Sequence, residues 1–234
     1  MCGRYIPNSD FEMKEIINSL IQIKGELPQD EKDNFITDGR DIYPTNITPV
    51  IYFSDGMIHI HKTKWGFEKW DGKGVIINAK SETAETGRFF SPYVKSNRCI
   101  IPSHGYYEWE TLQDKKKIKY AFTNDKSSGI FMAGLYRQNN SENEFVILTK
   151  NANPNISFIH DRMPLMIEQA QIQDWLTGSM NITDFSNKNF DINFSIPVWV
   201  YIYFLTLVPL ICISPNFVFA VACKTSPITV PCAV

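Results

Sequence analysis

Apolar side chains at Phe11, Met13, Ile16, Ile17, Leu20 and Ile21 recur at the three- and four-residue spacing of one helix face, and Ser9-Asp10-Phe11-Glu12 ahead of them has the form of a capping box. This pattern predicts an amphipathic helix reaching about Lys24, ended by an acidic loop over 26–41. From residue 50 the period shortens to that of strands. Short runs rich in β-branched and aromatic residues, separated by turn formers, predict strands at 50–53, 57–65, 75–78, 99–101, 106–110, 118–123, 130–136 and 145–149, with Asp55-Gly56 turning the chain between the first two. A second helix is predicted over 168–176, with Trp175 and Leu176 facing inward. No internal repeat is visible. The predicted class is α+β: a single domain with a curved, mostly antiparallel β core and a few flanking helices.

Composition narrows the picture only a little. At 44% hydrophobic and 21% charged, the 234 residues have globular composition, which excludes a fibre or a disordered tail. The net charge of −2 carries no global signature for polyanions, but the charge is uneven along the chain. Residues 1–50 hold five basic and nine acidic side chains, whereas 59–99 hold eight basic and four acidic, so the middle segment is either a polyanion contact or a solvated mixed surface. The five cysteines form no C-x-x-C pair and the four histidines are too dispersed to complete a zinc pattern with them, so no metal and no cofactor are expected. His59 and His61 would share one face of a strand, two imidazoles without a third ligand. The start of the chain lacks a basic stretch followed by an apolar run, which leads to the expectation of a cytoplasmic protein.

The end of the chain stands apart. After Asp191 the only charged residue is Lys224, and 196–213 is an apolar run interrupted by Pro197 and Pro209. Two prolines, abundant β-branched and aromatic residues and the lack of basic flanks weigh against a membrane span, so none is expected.

Cys2 is the chemically suggestive position. Its small predecessor-facing side chain is of the type that permits removal of Met1, which would place an α-amine and a thiol on one carbon frame. With reference pKa values of about 8 and about 8.5, both are partly nucleophilic near neutrality. Together they can attack one aldehyde twice, first giving an imine and then closing a five-membered thiazolidine. By itself, a second-position cysteine reads as an ordinary terminus. Asn78 ends an apolar strand, where an amide can hold a reacting oxygen or amine without a charge cost, or simply form a turn. Glu108 lies among Tyr106, Tyr107 and Trp109, a setting that raises a carboxyl pKa and suits acid/base work; a surface strand glutamate is the competing reading. His160 follows Ile156, Phe158 and Ile159 and precedes Asp161 and Arg162, as a catalytic or a structural histidine would.

Met1-Cys2-Gly3-Arg4-Tyr5 resembles the start of the SOS response-associated peptidase family. The resemblance runs in order through Tyr43-Pro44-Thr45, Trp65-Gly66-Phe67, Asn78-Ala79-Lys80-Ser81-Glu82-Thr83, Arg98-Cys99-Ile100-Ile101-Pro102, Gly105-Tyr106-Tyr107-Glu108-Trp109, Ala133-Gly134-Leu135 and His160-Asp161-Arg162-Met163-Pro164, over residues 1–178. It implies a family-like catalytic domain over 1–191 and leaves 192–234 as a divergent apolar segment: a divergent end, an altered reading frame or a membrane-associated extension.

It also implies a function: covalent shielding of abasic sites in single-stranded DNA, through a thiazolidine crosslink made by the N-terminal cysteine during the DNA damage response. The catalytic roles then fall to Cys2 as nucleophile, to Asn78 and Glu108 in sugar-ring opening and thiazolidine closure, and to His160 in positioning DNA and reversing the adduct. Arg4, Lys80, Arg88 and Arg162 would line a backbone track, with Lys80 standing where the family often has arginine. Trp65, Phe67 and Trp70 would offer stacking surfaces, at least one of the three being core. The implied partner is single-stranded DNA containing abasic sites, with no obligatory protein partner and nucleoid association when bound. Lyase activity, a thiol peptidase that removes its own leader, and a non-enzymatic single-strand-binding module are the other activities this reading leaves open.

Overall fold

Ser9 and Glu12 form the capping box as the sequence predicts: the Ser9 N–H donates to Glu12 Oε2 at 2.7 Å and the Glu12 N–H to Ser9 Oγ at 3.3 Å. They start α1 (Asp10–Lys24), which buries Met13, Ile16, Ile17 and Leu20, while Phe11 at the first turn stays exposed. The computed structural model describes residues 2–24, 27, 28, 31, 34–124, 129–138, 142–188, 190 and 192–195.

In chain order the strands are β1 (Tyr5–Ile6), β2 (Ile47–Ser54), β3 (Met57–Trp65), β4 (Phe67–Glu68), β5 (Val75–Ile76), β6 (Asn78–Lys80), β7 (Arg98–Ser103), β8 (Gly105–Thr111), β9 (Lys117–Thr123), β10 (Ile130–Gln138), β11 (Asn143–Asn151), β12 (Arg162–Pro164) and β13 (Asn193–Ser195). The remaining helices are α2 (Ser81–Ala84), α3 (Ser91–Ser96), α4 (Ile172–Thr177) and α5 (Ile182–Ser186). The helix predicted at 168–176 is divided: a 3-10 turn covers Gln169–Gln171 and α4 follows, with Trp175 and Leu176 buried as predicted.

The β2–β3 hairpin turns at Asp55 and Gly56, both with positive φ (50° and 80°), the geometry that Asp-Gly favours in a two-residue loop. Strands β2, β3, β11, β10 and β7 pair successively, and β7 returns to β2, so the pairing closes into a ring. Two pairings are parallel, β3 with β11 and β6 with β11; the others are antiparallel. Gly134 lies where β10 is flanked by β7 and β11, and a Cβ there would stand 2.8 Å from the Val146 carbonyl oxygen, so the close approach excludes a side chain. Strands β1, β8, β9 and β13 form a second sheet.

Alternation along the ring strands divides the core in two. Ile51, Ile100, Ala133, Val146 and Leu148 pack with α1, α4 and α5. Val50, Tyr52, Cys99, Ile101, Met132 and Ile147 pack with Tyr5, Tyr106, Tyr120 and Phe122 of the second sheet. The layers are therefore helices, ring and four-stranded sheet, an α+β fold around a curved, mostly antiparallel core, as predicted.

The folded unit passes the boundary expected at 191. Asn193–Ser195 pair with Ala121–Thr123 of β9, Ile192 is buried, and Phe194 packs against Tyr120, Phe122 and Phe158. The apolar run 196–213 lies outside the described residues. Among the described residues no helix is long and apolar enough to cross a membrane.

Candidate active site

Strand β1 is only two residues long, yet it fixes the start of the chain. Tyr5 pairs with Tyr106, and the Tyr107 N–H donates to the Arg4 carbonyl at 3.0 Å, so the register of β1 on β8 carries Gly3 and Cys2 alongside Glu108. Cys2 is fully buried, and its carbonyl accepts a hydrogen bond of 3.0 Å from Asn78 Nδ2. Asn78 stands at the first position of β6, held by parallel pairing with Ile147 of β11. Seventy-six residues of chain thus separate two groups that the ring brings into contact. The other amide atom of Asn78, Oδ1, is buried with no hydrogen-bond partner among the described residues, an acceptor aimed into the site at a real desolvation cost.

Burial and then the Glu108 carboxylate push the Cys2 thiol well above its ordinary range. Glu108 itself is only 4% exposed, and burial raises its carboxyl above the usual carboxylate value against the opposing charge of His160. A carboxyl pKa shifted upward lies in the direction that suits a group which donates a proton and takes it back. On the Glu108 face of β8 lies Tyr106, fully buried and stacked on Phe122 at 4.7 Å between ring centres, whereas Tyr107 and Trp109 alternate to the opposite face.

His160 ends the turn after Asn153, and its Nδ1 lies 2.8 Å from Asp161 Oδ1 and 3.0 Å from the Arg162 N–H. Nδ1 is thereby engaged in positioning the ring. A hydrogen bond links Asn78 to Cys2, and electrostatic interactions link Glu108 to Cys2 and to His160.

The residues expected to contact DNA divide. Lys80, Arg88 and Trp70 are exposed, Trp70 almost completely. Arg4 is partly exposed, with its guanidinium 4.3 Å from the Tyr43 ring centre and 5.2 Å from that of Trp109. Trp65 presents no stacking face: it is fully buried, packs on Tyr5 and Phe145, and donates its indole N–H to the Ile77 carbonyl at 3.0 Å. Phe67 is core as well. Arg162 is not a phosphate contact either. It is 8% exposed, and its fork is occupied by Glu82 at 2.7 and 2.8 Å, Asn151 Oδ1 at 2.7 Å and the Thr149 carbonyl at 2.6 Å.

Sequence reading named Arg4 but missed the cationic and aromatic rim that gathers around it. Lys119 Nζ lies 3.5 Å above the Tyr107 ring centre and 3.9 Å from Asp41 Oδ2, and Arg4 reaches the same carboxylate at 4.0 Å. The available signal was cross-strand register: Trp109 pairs with Lys119 and Tyr107 with Ala121, which aligns these side chains on one face.

The profile of the SOS response associated peptidase (SRAP) family matches residues 1–190. The chain belongs to this family. It is 28% identical to the abasic site processing protein YedK of Escherichia coli over 184 residues, covering 75% of this chain and 79% of that one. It is 29% identical to the abasic site processing protein YoqW of Bacillus subtilis over 202 residues, covering 79% and 84%. A solved structure from Bacteroides thetaiotaomicron superposes with a TM-score of 0.68 at 20% identity, covering 83% of this chain and 91% of that one, which places the fold with those structures. Cys2 ahead of β1 meets Asn78 of β6 by a hydrogen bond and Glu108 of β8 electrostatically, and Glu108 in turn interacts with His160 of the turn before β12.

Proposed function

We propose that this SRAP protein, once Met1 is removed, captures the ring-opened aldehyde of an abasic site in single-stranded DNA through Cys2. The observation that carries the reading is the Asn78–Cys2 hydrogen bond, which secures a buried second-position cysteine beside a carboxyl of raised pKa. Opening the sugar passes a proton from the Glu108 carboxyl to the ring oxygen, and the C1 hydroxyl proton returns to the carboxylate, which restores the acid for the next step. The Cys2 amine then adds to the aldehyde carbon. Loss of water, with Glu108 supplying a proton to the departing hydroxyl, leaves an imine. The Cys2 sulfur adds to the imine carbon, forming the C–S bond; the thiol proton passes to the nitrogen by way of the carboxylate. One aldehyde and one cysteine give one thiazolidine and one water, with no redox change.

Each residue has a role that its surroundings support. Asn78 Nδ2 anchors the Cys2 backbone, and its Oδ1 is an acceptor for the Cys2 amine. The raised thiol pKa keeps sulfur protonated until the imine has formed, so the amine reacts first. His160, linked by charge to Glu108, serves the reverse reaction by moving protons during ring opening of the thiazolidine. Arg4, Lys119, Tyr43, Tyr107 and Trp109 form a rim on which a phosphate and unstacked bases can rest, joined by the exposed Lys80, Arg88 and Trp70.

The test is direct. Incubation of the purified protein with a uracil-containing single-stranded oligonucleotide treated with uracil-DNA glycosylase should give a species that survives a denaturing gel and migrates more slowly. Cys2→Ala should give none. Equal behaviour of wild type and Cys2→Ala would overturn the mechanism, and a complex lost on denaturation would mark a non-covalent single-strand binder.

A further inference from the structure

The sequence places His59 and His61 on one face of β3 without a third ligand, and the fold supplies one. Glu31, from the segment between α1 and β2, brings Oε1 to 2.9 Å from His59 Nδ1 and 3.0 Å from His61 Nε2. Its other oxygen accepts the Ile60 N–H at 2.7 Å, so the carboxylate is aimed from the backbone of the residue between the two histidines. The Glu31 side chain is 9% exposed and that of His59 14%, while His61 is 35% exposed and opens the cluster to solvent.

Tyr52 orients both imidazoles. It pairs directly with His59 across the hairpin, stacks on that ring at 5.3 Å and 15°, and meets the His61 ring edge-on at 4.9 Å. Its hydroxyl lies 2.8 Å from His61 Nδ1 and 3.0 Å from Nε2, the nitrogen that also meets Glu31 Oε1 at 3.0 Å. His61 is thus held by an outer hydroxyl beside a carboxylate, as metal-binding histidines are, while His59 Nε2 is buried with no hydrogen-bond partner among the described residues.

We propose that Glu31, His59 and His61 form a binding site for a borderline divalent cation of the zinc class, separate from the Cys2 site. The three donor atoms lie within 4.8 Å of one another. Bonds of about 2.0–2.1 Å in a tetrahedron would set them about 3.4 Å apart, so the contacts of 2.9 and 3.0 Å need open by only a few tenths of an ångström. Two nitrogens and one carboxylate oxygen suit zinc better than magnesium or calcium, which prefer all-oxygen sets. The fourth position, on the exposed side of His61, is left to water. The ion would tie Glu31 to a strand 28 residues further along the chain.

The full-length chain carrying Cys2→Ala, which lacks the terminal thiol as a competing chelator, is titrated with Zn²⁺ against a chromophoric chelator and with Co²⁺ by absorbance. One ion per chain is expected, with a tetrahedral Co²⁺ spectrum free of a thiolate charge-transfer band and a melting temperature raised by Zn²⁺. Glu31→Gln and His61→Gln, each in the same background, should weaken binding at least ~10-fold and abolish the Zn²⁺-dependent rise in melting. Absence of binding, a thiolate band, or affinity retained in either variant would overturn the site. Should Glu31→Gln fail to fold without metal, His61→Gln, at the more exposed imidazole, decides the matter alone.

Discussion

The Glu108 carboxyl is the residue on which the proposed chemistry turns, and its raised pKa has two consequences of definite sign. The folded state holds its proton to higher pH than the unfolded chain does, so this group's contribution favours folding at low pH and is lost as pH rises from the ordinary carboxylate range through the raised value. Glu108→Gln should accordingly be at least as stable as wild type at neutral pH, measured by denaturant unfolding, while crosslink formation slows ~10²–10⁴-fold as for loss of a general acid/base. The pH–rate profile of formation should lose its corresponding inflection. His160→Gln should behave differently, forming the crosslink at close to the wild-type rate and releasing it more slowly. Equal loss of both phases in the two variants would make His160 structural. That these residues act together was legible in motif order, but the reason was not: the Asn78 amide reaches the Cys2 carbonyl across 76 residues, and no local pattern encodes that contact. Trp65 and Arg162 show the reverse case. Their residue types suit DNA, and only tertiary packing reveals that one fills the core and the other is consumed by Glu82.

Elements of regular period were legible and short ones were not. The capping box, the apolar stripe of α1 and the Asp-Gly hairpin are local, so sequence alone specifies them. Strands β1, β4 and β12 have two or three residues each and exist only because neighbours pair with them. Two of these support the candidate site, β1 by guiding Cys2 along β8 and β12 by fixing the chain just after His160. Arg162 secures β12 through the fork to Glu82 and the bond to the Thr149 carbonyl of β11. Lysine cannot reproduce that geometry. Arg162→Lys should cost about 1.5–3 kcal/mol, the scale of charge-assisted hydrogen bonds, in denaturant unfolding. It should also slow adduct release, since His160 Nδ1 accepts the Arg162 backbone N–H. Lys80→Ala and Lys119→Ala, at the rim, should leave adduct release unchanged and each lower the salt dependence of single-strand binding by about one ion. A fall in salt slope for Arg162→Lys with stability intact would return that residue to the DNA track.

At the scale of the whole molecule, the second sheet joins the start of the chain to its last described strand. β1 and β13 stand at opposite edges of that sheet, with β8 and β9 between them, and β8 carries Glu108. Phe194 of β13 packs on Phe158 in the turn that ends at His160, and the Phe190 carbonyl accepts from Asn153 Nδ2 at the base of that turn. The edge strand therefore supports the histidine from behind, although β13 itself contains none of the proposed catalytic residues. A chain ending after Ser195 should crosslink and release DNA like the full-length protein, because every described support of the site is retained. A chain ending after Phe190 loses the buried Ile192, worth about 1.5–3 kcal/mol as a large aliphatic side chain, together with the pairing of β13 on β9. Its melting temperature should fall, and at a temperature where it remains folded it should still form the crosslink through Cys2 but release it more slowly. Identical melting and release in the two truncated chains would mean that the turn bearing His160 holds its geometry without β13, and that the functional unit ends before the last strand of the second sheet.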